Sequence, residues 1–111
     1  MRVLVFEDNL LWSSRLLNTL KGLGHEPILR TAMPTDSEGA TIAIVNLASP
    51  KLAPAELVKA LRALGVHVIG HAGHKEKELM ALGKEAGCDT LATNSELTFK
   101  IEAILERMVS P

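Results

Sequence analysis

An α/β fold, with a parallel sheet covered by helices on both faces, is predicted by three observations on the 111-residue chain. Five short apolar stretches recur along it, several of them apolar on consecutive positions, as strands buried on both faces are. Helical repeats separate nearly all of these stretches, which is the βαβ pattern that right-handed crossovers fold into a parallel sheet. The length fits one compact domain, residues 1–111, with no linker, internal repeat or low-complexity tract to divide it.

The first strand is "RVLVF" (2–6). Asn9 then suits an N-cap, Leu16, Leu20 and Leu23 follow at helical spacing, and Gly24 ends the segment. "EPIL" (26–29) is the second strand. The connection "RTAMPTDSEGA" (30–40) is near the minimum for a crossover, so its helix is expected to be a turn or two, or absent. "TIAIVNL" (41–47) is the third strand. Pro54 fits the first turn of a helix whose Leu57, Leu61 and Leu64 share one face, with Gly65 placed to stop it. "VHVIG" (66–70) is followed by a helix over 75–86, in which Gly83 costs about 1 kcal/mol relative to Ala. After "TLA" (90–92), Ser95 is the expected cap of a last helix carrying Leu97, Ile101, Ile104, Leu105 and Met108 on its apolar side.

Composition narrows the function classes. Apolar residues make up 47% and aromatic residues 3%, so the core must be built from Leu, Val, Ile and Ala. The single cysteine, Cys88, has no disulfide partner in the chain and belongs to no Cys/His cluster, which points to a reducing compartment and a buried apolar role. No apolar stretch approaches the roughly 20 residues that cross a bilayer, and "MRVLVFED" reaches two acids too soon for a secretory signal. The expectation is a soluble cytoplasmic protein that engages no membrane. Twelve basic and 13 acidic residues, scattered rather than clustered, give a net charge of −1 and argue against nucleic acid as a ligand.

In an open doubly wound sheet, ligands gather beyond the carboxyl ends of the strands where strand order reverses. For five strands in the order 2-1-3-4-5, that point lies between the first and third. Glu7 and Asp8 follow strand one, Asn46 ends strand three, His71 follows strand four and Thr93 follows strand five. These five polar side chains are expected on one rim. The first loop is acidic and lacks a glycine-rich phosphate cradle, and no nucleophile has an evident base, so no enzyme is predicted.

The same residues carry a resemblance that spans the whole chain. "FEDN" supplies an acid pair after strand one, and "VNLASP" has an acceptor-to-proline spacing. "GHAG" follows strand four, and "EAGCDTLATNSEL" closes the chain. Their order and spacing resemble the receiver domain of bacterial two-component response regulators. The resemblance implies a flavodoxin-like, three-layer α/β/α sandwich of strand order 2-1-3-4-5. It also implies magnesium on the acid pair Glu7 and Asp8, and places Asn46 where receivers have the phospho-accepting aspartate. His71 stands at the switch hydroxyl, Thr93 at the lysine, Asn94 at the following proline and Thr90 at the aromatic switch. An amide is a poor nucleophile at this oxygen, so the pocket Glu7, Asp8, Asn46, His71 and Thr93 reads as degenerate. No residue is assigned a catalytic role, and no cofactor beyond weakly held Mg2+ is expected.

The implied function is a stand-alone atypical response regulator, a pseudo-receiver in a phosphorelay or related pathway. It acts by phosphorylation-independent contact with a histidine kinase, another signalling protein or a second copy in a homodimer. The expected contact face surrounds the last strand and helix: Thr90, Asn94, Phe99 and Met108. The alternative is an ion- or pH-sensing module built on Glu7, Asp8 and His71. There the two carboxylates are expected to raise the histidine pKa. His74, in "HAGH", lies in a predicted loop without the spacing of a transition-metal site. Trp12 is expected beside the pocket, as an interface anchor or a surface packer.

Overall fold

The structure is a computed structural model that describes residues 1–109. Its elements run β1 (Arg2–Phe6), α1 (Leu10–Gly22), β2 (Glu26–Arg30), β3 (Ile42–Asn46), a 3-10 turn (Pro50–Leu52), α2 (Pro54–Ala63), β4 (His67–Ala72), α3 (Lys77–Ala86), β5 (Thr90–Thr93) and α4 (Asn94–Val109). Among the described residues the strands form one parallel sheet in the order β2-β1-β3-β4-β5, the doubly wound arrangement expected.

Strand alternation divides the core into two layers. Leu4, Phe6, Ala43 and Val45 face Leu57, Val58 and Leu61 of α2, with Leu79 and Met80 of α3 packed alongside. Val3, Val5, Ile42 and Ile44 face Leu16 and Leu20 of α1 and Leu97, Ile101, Ile104 and Leu105 of α4. The central strands are buried on both faces, which is why they read as unbroken apolar runs rather than alternating ones.

Residues 31–41 contain no helix. Charged contacts fasten the segment instead: the Arg30 guanidinium donates to both Glu38 carboxylate oxygens at 2.9 and 2.6 Å, and Arg2 donates to the Glu38 carbonyl at 2.9 Å. Hydrogen bonding to Glu38 holds the Arg30 pKa above its usual value, and the same bond holds the Glu38 carboxyl below its own.

Three local expectations are corrected. β4 continues through Ala72, so His71 lies within the strand and pairs with Asn46 in the ladder. The last helix begins at Asn94, and its cap is Thr93 rather than Ser95. The Glu96 amide donates to the Thr93 hydroxyl at 3.1 Å while the Thr93 amide donates to the Glu96 carboxylate at 2.9 Å, a reciprocal capping box. Gly83 is a close-approach position: a Cβ there would lie 2.7 Å from Leu47 Cδ1 and 2.9 Å from Leu91 Cδ2. Its low helix propensity is offset by letting α3 sit tightly on the sheet.

Candidate functional site

The carboxyl ends of β1, β3 and β4 bring Glu7, Asn46 and His71 together. Glu7 is 2% exposed and His71 1%, so this is a closed pocket rather than an open rim. A buried carboxylate needs donors, and Glu7 has them. Its Oε2 accepts from the Asp8 and Asn9 backbone amides at 3.1 and 3.2 Å and from Asn46 Nδ2 at 2.8 Å; its Oε1 accepts from the same Nδ2 at 3.1 Å. Asn46 Oδ1 in turn accepts from the Ala48 amide at 2.9 Å. Rotating the amide by half a turn would set oxygen against carboxylate and NH2 against N–H, so both contacts dictate its orientation.

His71 is held by two neighbours, one of them the Trp12 expected beside the pocket. Its Nδ1–H donates to Asn94 Oδ1 at 2.8 Å, and the Trp12 ring lies over it with centroids 5.2 Å apart. With the proton on Nδ1, Nε2 is a bare acceptor; it lies 3.8 Å from Glu7 Oε1 and has no hydrogen-bond partner among the described residues. The expectation of a raised histidine pKa is corrected. Burial dominates and lowers it, against smaller raising effects from the Asn94 hydrogen bond and the Glu7 charge.

Asp8 and Thr93 stand apart from this trio. Asp8 is exposed and accepts a hydrogen bond from the Ser49 hydroxyl at 2.5 Å. The Thr93 hydroxyl is committed to the helix cap. As arranged, the acid pair does not present a divalent cation with two open carboxylates, even though water can complete its oxygen shell. Glu7 Oε2 already accepts from three N–H donors, and Asn46 turns its nitrogen rather than its oxygen toward the carboxylate. Among the described residues no group of three or more His, Cys, Asp and Glu side chains is placed to hold a metal. His74 is exposed, away from the buried His71.

The residues expected on a contact face are dispersed. Thr90 begins β5 and Asn94 follows its other end; Phe99 is 83% exposed, while Met108 packs against the core layer beneath α1 and α4. Asn94 and Phe99 do share a groove of about 250 Å³ with Trp12, Arg15 and Thr19 of α1. Cys88 is partly buried, and burial pushes its thiol up to about 11, away from nucleophilic chemistry. Among the described residues no helix is long and apolar enough to cross a membrane.

Searches with the sequence match no protein-family model and no curated protein. Solved structures do match. A response regulator receiver domain protein from Methanospirillum hungatei superposes with a TM-score of 0.75 at 20% identity, over 96% of this chain and 94% of that one. A two-component response regulator from Clostridium difficile superposes at 0.74 and 16% identity, over 99% of each chain. The receiver domain of a sensor histidine kinase from Pseudomonas aeruginosa, solved with magnesium coordinated in its active site cleft, superposes at 0.75 and 18% identity, over 96% of this chain and 94% of that one. Near-complete coverage at such low identity establishes architecture: this chain has the fold of the response regulator receiver domains.

Proposed function

We propose that this chain is an atypical receiver-like signalling module that works by phosphorylation-independent contact with protein partners. The observation that carries the reading is the Asn46 amide. It occupies the place at the end of β3 where the resemblance puts the phospho-acceptor, and it is bound through nitrogen to Glu7 and through oxygen to Ala48. Such a group offers no charged nucleophile for an acyl phosphate, and its oxygen is neutral and held by the Ala48 amide. The shape of the folded domain then carries the signal.

The partner is a signalling protein: a histidine kinase, another signalling protein or a second copy of the chain, the kinds that the likeness to receiver domains suggests. Its contact residues include Asn94 and Phe99, where α4 presents an exposed aromatic ring beside α1. Incubation with acetyl phosphate and magnesium, followed by intact-mass measurement, is expected to show the unmodified mass. A stoichiometric phosphate adduct on any pocket residue overturns the reading. Affinity capture with the native protein and with Asn46→Asp then tests whether position 46 selects the bound proteins.

A second reading, a pH-sensing module, is favoured by one observation: the unpartnered His71 Nε2 faces Glu7 Oε1 at 3.8 Å, both side chains buried. A second proton on the ring would convert two facing acceptors into an ion pair.

A further inference from the structure

We propose that the Asn46 side-chain amide is a built-in substitute for a divalent cation, closing the pocket in a metal-independent form that a single substitution can reopen. The inference rests on the reading of position 46 given above, and its test reads metal rather than phosphate, so the two can fail separately.

A cation in a carboxylate pocket places positive charge against buried oxygens. Here Asn46 Nδ2 does so with its amide hydrogens, reaching both Glu7 oxygens at 3.1 and 2.8 Å. The Asp8 and Asn9 amides complete the set on Oε2. A cation seated between Glu7 and Asn46 would have to displace Nδ2, and the Ala48 N–H, bonded to Asn46 Oδ1 at 2.9 Å, opposes the rotation that would offer that oxygen as a ligand. Asp8 is already bonded to Ser49 at 2.5 Å. Two residues across the ladder from one another enforce the arrangement: Asn46 pairs with His71 in β3 and β4, and His71 closes the far side of Glu7. The native pocket is therefore complete without metal, whereas a carboxylate at position 46 would face Glu7 with no donor between them, a repulsion that a cation would relieve.

The test is thermal unfolding of the native chain, Asn46→Asp and Asn46→Ala in EDTA and in saturating Mg2+, with Mn2+ broadening of the Asp8 and Asn9 amide NMR signals as a second readout. The native midpoint is expected to be the same with and without Mg2+, and Mn2+ should leave both amide signals sharp. Asn46→Asp should melt lower in EDTA and recover with Mg2+, because a ligand that binds only the folded state raises the midpoint. Asn46→Ala should melt lower in both. Saturable broadening or a raised midpoint in the native chain overturns the proposal, as does a folded Asn46→Asp that ignores both ions. If Asn46→Asp does not fold even with Mg2+, the native Mn2+ titration decides alone.

Discussion

Asn46 Nδ2 donates to both carboxylate oxygens of Glu7, a contact across 39 residues of sequence that closes the carboxyl ends of β1 and β3 over a buried charge. Removing it leaves Glu7 with only the Asp8 and Asn9 amides, both on Oε2. Asn46→Ala is expected to destabilise the fold by about 1–3 kcal/mol, the cost of leaving a buried polar group short of its partner. Asn46→Asp without metal is expected to cost more at neutral pH, because like charge replaces a donor, and its deficit should shrink as acid protonates one carboxyl of the pair. Urea unfolding of the three proteins at two pH values checks the order; an Asp variant as stable as the native chain at neutral pH, in EDTA, would refute it.

His71 sets a pH dependence whose sign follows from burial. Its folded pKa lies below the ordinary 6.5, so the unfolded chain binds the proton more readily, and this group's contribution is present above that value and is lost as pH falls below it. The slope from one such group is at most about 1.4 kcal/mol per pH unit. His71→Gln is expected to flatten the profile just below 6.5 relative to the native chain. Trp12, the sole tryptophan, lies against this ring and offers an internal reporter. Its fluorescence should titrate with a midpoint below 6.5, and a midpoint above that value would restore the carboxylate-dominated expectation.

Gly83→Ala should destabilise, against the usual gain of about 1 kcal/mol for this change within a helix. The new methyl would meet Leu47 Cδ1 at 2.7 Å and Leu91 Cδ2 at 2.9 Å, and Leu47 is itself buried in the core. Overpacking of this kind costs about 1–3 kcal/mol. A variant more stable than the native chain in denaturant titration would show that α3 can shift away from the sheet.

Thr93→Ala should cost about 1 kcal/mol through the lost cap of α4. Because hydrogen bonding with Thr93, its backbone amide first, holds the Glu96 carboxyl below its usual range, the carboxylate half of the box is expected to contribute at neutral pH and to be lost as pH falls through the folded Glu96 value, while the hydroxyl half remains. Combining Thr93→Ala with Glu96→Ala should cost less than the sum of the two single changes. Strict additivity would mean the two ends of the box act independently.

Much of the architecture was legible because it rests on local chemistry. Each strand core appeared as a short apolar run, Asn9 was readable as the cap it is, accepting from the Trp12 amide at 3.1 Å, and the short 30–40 connection left no length for a full helix. Boundaries were less so. Ser95 and Thr93 are both competent caps, and only the position of Glu96 relative to the end of β5 selects between them.

The alternation of apolar runs with helical repeats determined by itself that the chain forms a doubly wound sheet with Glu7, Asn46 and His71 near one edge, since side-chain period and strand direction follow from residue type. Tertiary structure alone decided what those residues do to one another. The amide orientation of Asn46, the burial that overrides the Glu7 charge at His71, and the Asn94 and Trp12 contacts depend on distances between segments far apart in sequence, and hydrogen bonding and desolvation change over less than the width of one strand.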